Sequence, residues 1–167
     1  MGKIMEPESS DKFIIDLNEE ILRLKAENKK LRESLNRERE LRFGLSKILV
    51  VDDSTLMQEI LVDALMEFGF QRSKIGVADN GQNALDMLFE ENFNLIISDW
   101  HMPGMTGIEF IKRIRGNPEL FKIPFLMMTS EDQKENILKA VSSGVDQYML
   151  KPFNNDDLKK KVFQLLG

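Results

Sequence analysis

The sequence contains no cysteine. That excludes disulfides and thiolate metal sites and suits a reducing cytoplasm, the location expected here. No apolar run approaches the ~20 residues needed to cross a bilayer. The N-terminus, MGKIMEPESSDK, lacks the apolar core of a signal peptide. Gly2 is followed by Lys3, Ile4, Met5 and Glu6, which is not the Ser/Thr-bearing myristoylation pattern. The net charge of -5 gives no general attraction to nucleic acid. No membrane insertion and no direct nucleic-acid contact are therefore expected. What the chain does contain is 167 residues with 42% hydrophobic content, enough for one domain and a modest extension.

The character of the chain changes near Gly44. Before it, Ile14, Ile21 and Leu35 fall at heptad position a, and Leu17, Leu24, Leu31 and Leu45 at d. Asn28 is the polar a residue inside this series. Ile at a with Leu at d favours two parallel strands, and a buried Asn at a fixes their register. Glu20 and Glu27 at g face Lys25 and Arg32 at e of a partner helix. The seam decays at Glu38 and Arg42, and Gly44 disfavours further helix. Residues 12–44 are thus expected to form a parallel coiled-coil homodimer. A trimer, or a helix from another protein, satisfies the same seam. Residues 1–11 are expected to be disordered, being polar, interrupted by Pro7 and without a period.

From residue 45 to 167, short apolar runs alternate with amphipathic stretches. Strands are expected at Lys47–Val51, Lys74–Ala78, Asn94–Ser98, Pro124–Met128 and Gln147–Leu150. Helices are expected at Thr55–Phe68, Gln82–Glu91, Gly107–Arg115, Glu131–Ser143 and Asn154–Leu166. Strict alternation with continuous apolar strands implies a five-stranded parallel sheet covered on both faces, an α/β fold. Ligands of such sheets bind beyond the C-terminal ends of the strands, where strand order reverses.

The polar residues gather at that rim. Asp52 and Asp53 follow the first strand, Asp99 the third, Thr129 and Ser130 the fourth, Lys151 and Pro152 the fifth. Converging carboxylates repel one another unless a cation joins them. Oxygen donors without cysteine point to a hard divalent ion, Mg2+ retaining several waters.

The motifs VVDDS (50–54), SDWHMPGMTG (98–107), MTSE (128–131) and YMLKPF (148–153) resemble those of response-regulator receiver domains. Trp100, Tyr148 and the stretch SEDQKENI (130–137) give the likeness a flavour of the chemotaxis regulators of the CheY type. The resemblance implies a flavodoxin-like (βα)5 fold with strand order 2-1-3-4-5. It implies Asp99 as phosphoacceptor, with Thr129 and Lys151 contacting the phosphoryl group. It implies Mg2+ held by Asp53 directly, by Asp52 mainly through water, by Asp99 and by the backbone carbonyl of His101. A cis Lys151–Pro152 bond would aim the lysine inward. Tyr148 would pass from exposed to buried as a switch, remodelling the face built by the fourth receiver helix, the fifth strand and the last helix.

A departure stands at His101, where CheY-like proteins commonly carry Asn. Either His101 is a loop residue whose backbone carbonyl alone matters, or its ring alters access of water to an acyl phosphate, so the lifetime does not carry over. His101 is also the only histidine, which excludes a separate internal phosphohistidine donor. No output domain is expected after the last helix, so output is expected through protein binding. By resemblance the donor is a CheA-like histidine kinase and the target a flagellar motor switch protein. The alternative is a dimeric receiver serving as a phosphate relay or sink in a non-flagellar circuit. A phosphatase of the Asp-nucleophile type is disfavoured, because it needs an acid where His101 stands. The protein is accordingly expected not to be a turnover enzyme.

Overall fold

The computed structural model describes residues 7–130 and 134–167. The chain divides into two compact units, Met1–Leu41 and Arg42–Gly167.

The first unit is formed by the helix α1 (Pro7–Gly44), which continues into the start of the second. The helix begins five residues before the expected start at 12, so residues 7–11 are helical rather than disordered. Pro7 explains this: at the first helical position its missing N–H is no loss and its fixed φ suits the helix. Residues 1–6, also expected to be disordered, lie outside the described residues. Along α1 the apolar side chains face solvent in the single chain, among them Ile14, Leu17, Leu24, Leu31 and Leu35, each about half exposed. The expected seam is present on the helix and is uncovered by its own unit.

The second unit is the expected α/β fold. Its elements are β1 (Ile48–Val51), α2 (Thr55–Glu67), β2 (Ile75–Ala78), α3 (Gly81–Glu90), β3 (Leu95–Asp99), α4 (Gly107–Arg115), β4 (Phe125–Thr129), α5 (Lys134–Ser142), β5 (Gln147–Leu150) and α6 (Asn155–Leu165). All strand pairs are parallel, in the order β2-β1-β3-β4-β5. The central strands β1, β3 and β4 are buried throughout, as continuous apolar runs require when both faces are covered. One core packs Leu49, Ile96, Phe110 and Phe125 with side chains of α3 and α4. The other packs Ile48, Leu65, Leu95 and Leu158 with α2 and α6, and includes Phe43. Phe43 is buried and its ring lies 5.0 Å from that of Phe163.

Several boundaries differ from expectation. A 3-10 turn, Arg72–Lys74, precedes β2 and removes Lys74 from the strand. It is closed by Lys74 N donating to Gln71 O and by the Arg72 guanidinium on Ile75 O. β3 and β4 run one residue further than expected. Asp99 pairs in register with Met128, so the acidic residue ends the strand instead of following it. The fourth receiver helix, expected from Glu131, is described from Lys134; residues 131–133 lie outside the described residues.

Candidate functional site

Strand order reverses between the adjacent strands β1 and β3, and beyond their C-terminal ends lies the crevice that α/β sheets offer to ligands. Asp52 lies one residue past β1 and Asp99 ends β3. Both are buried, at 2% and 8% exposure. A buried carboxylate needs compensation, and Lys151 supplies it. Its ammonium donates to Asp52 Oδ2 at 2.8 Å and to Asp99 Oδ1 at 2.6 Å. Lys151 follows β5, is anchored by its own N–H on Thr129 O, and precedes Pro152 through a cis peptide bond.

The remaining carboxylate oxygens are also fixed. Asp52 Oδ1 accepts from Ser54 N at 2.9 Å, and Asp99 Oδ2 accepts from His101 N at 2.9 Å. Ser54 caps α2 through its hydroxyl on Met57 N, so the same short turn starts the helix and orients Asp52. Thr129 is buried at the end of β4. Asp53 is exposed at the rim. Tyr148 on β5 is half-buried, packs against the α3/α4 core and lies 6.0 Å from Lys161 Nζ, rather than standing fully exposed.

Two residues of the site have roles that the sequence reading did not assign. Gln58 donates its side-chain amide to Asp52 O at 2.6 Å and to Ala78 O at 3.4 Å, tying the ends of β1 and β2 to α2. Its position one turn after the N-cap aims it back at the strand ends, but the sequence does not show which carbonyls it meets. Gly107 opens α4 directly beneath the end of β3. Its N–H donates to Trp100 O, and a Cβ there would collide with the Asp99 carbonyl and the Met127 sulfur. In the sequence this glycine stands at the end of the SDWHMPGMTG motif and at the start of a helix, but its contact with β3 does not show there.

Burial raises Asp99 above the ordinary carboxylate value; Lys151 and the His101 N–H act against it, and the charge of Asp52 adds to it. For Lys151 burial acts downward, but hydrogen bonds to Asp52 and Asp99 outweigh it and raise the ammonium above the usual lysine value. The lysine is therefore charged at neutral pH, and burial makes Asp99 hold a proton more tightly than an ordinary carboxylate does.

The expected convergence of three carboxylates is only partly realised. Among the described residues no three acidic or histidine side chains lie close enough to form a ready-made metal cluster. Lys151 draws Asp52 and Asp99 together instead, with Asp53 outside them. The donor set nonetheless suits a hard cation: Asp52, Asp53 and Asp99 against Lys151 leave two net negative charges, and every donor is oxygen.

The chain matches the Response regulator receiver domain over residues 48–163, leaving α1 outside the match. It is 40% identical over 116 residues to the chemotaxis protein CheY of Pseudomonas aeruginosa, covering 70% of this chain and 92% of that protein. It is 42% identical over 116 residues to CheY-3 of Vibrio cholerae, covering 70% and 88%. The solved structure of the chemotaxis response regulator CheY4 of Vibrio cholerae superposes with a TM-score of 0.66 at 32% identity, covering 72% of this chain and 98% of that one.

Proposed function

The chain belongs to the response regulator receiver family, similar to its CheY members, and from that premise we propose that Asp99 accepts a phosphoryl group from the phosphohistidine of a CheA-like histidine kinase. The observation that carries this reading is the Lys151 ammonium held between Asp52 and Asp99 at the switch point of the sheet. One Asp99 oxygen attacks phosphorus, the P–O bond forms as the P–N bond to the donor imidazole breaks, and the imidazole leaves with the electron pair. Such transfer depends on in-line positioning and charge neutralisation. The His101 N–H and Lys151 hold Asp99 in one orientation, and Lys151 afterwards pairs with a phosphoryl oxygen. Asp52, Asp53 and Asp99, with the His101 backbone carbonyl, would hold Mg2+. When bound it neutralises charge on the phosphoryl oxygens.

Thr129 lies at the end of β4, where its hydroxyl would bond the new phosphoryl group. Tyr148, already half inside, would then complete its burial and remodel the α5-β5-α6 face. The output is binding of a target protein, of which a flagellar motor switch protein is the type suggested by the CheY likeness. The uncovered a/d seam of α1 supports a homodimer. Among the described residues no helix is long and apolar enough to cross a membrane.

Trp100, the sole tryptophan, adjoins Asp99 and reports on the site. Its emission should change saturably on adding Mg2+. It should change again on adding acetyl phosphate, then return as the donor is exhausted. Asp53→Asn should weaken the first response and Asp99→Asn should abolish the second. Equal responses to acetyl phosphate in wild type and Asp99→Asn would remove Asp99 as the acceptor.

A further inference from the structure

Asp53 differs from the other two acids of the site. It is exposed, and among the described residues no hydrogen bond or ion pair holds its side chain. Its backbone must therefore set its aim. A peptide unit is planar, so the two planes that meet at a Cα fix the direction of its Cα–Cβ bond. Both planes at Asp53 are held. Ser54 N donates to Asp52 Oδ1 at 2.9 Å, which fixes the plane between Asp53 and Ser54. Gln58 Nε2 donates to Asp52 O at 2.6 Å, which fixes the plane between Asp52 and Asp53.

The Gln58 side chain is itself well anchored. Its second amide proton faces Ala78 O at 3.4 Å, an oxygen that also accepts from Asp52 N at 3.1 Å. Two carbonyl oxygens around one end of the side chain identify that end as the NH2 group. β2 ends at Ala78. The amide takes the place that a further strand residue would fill on the Asp52 carbonyl. The Gln58 backbone N–H donates to Ser54 O at 3.0 Å. Asp52, Ser54 and Gln58 thus close a ring of three hydrogen bonds around the Asp53 backbone.

We propose that Gln58 is a positioning residue for the metal site: its amide sets the Asp52–Asp53 peptide plane and so aims the Asp53 carboxylate at the cation. The proposal rests on the assignment of Mg2+ to Asp52, Asp53 and Asp99 in the preceding section. Gln58 is neutral and its amide is engaged by two carbonyls, so it acts on the site through geometry and not through charge. Groups that orient metal ligands from behind contribute about 10–100-fold in metal affinity. A single bond to the backbone of one ligand belongs at the low end of that range.

Mg2+ titrations followed by Trp100 emission test this on four full-length proteins: wild type, Gln58→Met, Asp53→Asn and the double variant. Met keeps the length of the side chain and removes both donors. Gln58→Met should raise the Mg2+ dissociation constant about tenfold. With Asp53→Asn already present, the same change should have little further effect, because residues that act through one another are not additive. An equal fold-change in both backgrounds would mean that Gln58 acts on the fold and not through Asp53, and overturns the proposal. So does a lowered urea midpoint in metal-free buffer with Mg2+ affinity unchanged, which leaves Gln58 a structural role alone. A wild type without a saturable response removes the Mg2+ assignment, and the role of Gln58 with it. Two substitutes keep the test readable. If Gln58→Met does not fold, Gln58→Asn is read by the same criteria, since its shorter side chain withdraws the amide from both carbonyls. If Asp53→Asn binds too weakly to titrate, Asp53→Glu takes its place, because its charge sits on a longer side chain that needs no fixed aim.

Discussion

Asp99 carries a cost in the folded chain. Its carboxyl is raised by burial, so ionising it in the native state is harder than in the unfolded chain. The sign follows by linkage: the folded state binds the proton more tightly, so the stability attached to it is present at low pH and is lost as pH rises through the raised value. At neutral pH the charged Asp99 opposes folding. Asp99→Asn removes that penalty and leaves Lys151 paired with Asp52 at 2.8 Å. Thermal unfolding should therefore show Asp99→Asn more stable than wild type at pH 7, by about 2–4 °C for each kcal/mol relieved. The advantage should shrink on acidification. A variant less stable than wild type at pH 7 would contradict this. The residues legible in the sequence, Asp52, Asp99, Thr129 and Lys151, were legible because each sits where an apolar run ends. Gln58 was not, because its role depends on two carbonyls from separate strands that only the folded sheet brings together.

At the scale of elements, α4 and β3 are locked at the site. Thr106 and Glu109 form a capping box that fixes the start of α4, and Gly107 N–H bonds Trp100 O. Gly107→Ala would force a methyl into the Asp99 carbonyl and the Met127 sulfur. Overpacking of this kind costs about 1–3 kcal/mol. The urea midpoint should fall, and acyl phosphate formation should slow because the acceptor strand must shift. An unchanged midpoint would show that the strand end has slack that the close contacts deny. The alternation of strands and helices was readable from periodicity, and both Gly107–Arg115 and Gln147–Leu150 agree with the structure to the residue. The ends of β3 and β4 were not readable, since whether a strand includes its last polar residue is decided by pairing with a neighbour. The start of α1 was misread for a different reason: Pro7 was taken as a breaker where it is an initiator.

At the scale of the molecule, the seam of α1 and the receiver belong to different units of the chain, yet Phe43 near the end of α1 is part of the receiver core. A truncation meant to release a monomer must keep it. Removing residues 1–41 should convert a dimeric full chain into a monomeric, folded receiver in light scattering, with the Mg2+ response of Trp100 intact. Removal through Gly44 should in addition lower stability, because a buried aromatic is lost; Phe deletions cost about 3–5 kcal/mol. A monomeric full chain at micromolar concentration would contradict the dimer. The heptad pattern was legible because it repeats along one element. The place of Phe43 was not, because its partner Phe163 lies far away in sequence, in α6.

The claim on which the others depend is that Asp99 is a covalent phosphoacceptor. The most direct test is intact mass after incubation with acetyl phosphate, with and without Mg2+, for wild type and Asp99→Ala. Wild type should gain one phosphoryl group only when Mg2+ is present, and Asp99→Ala should gain none. A phosphoryl group on Asp99→Ala, or none on wild type with Mg2+ in excess, would contradict the account.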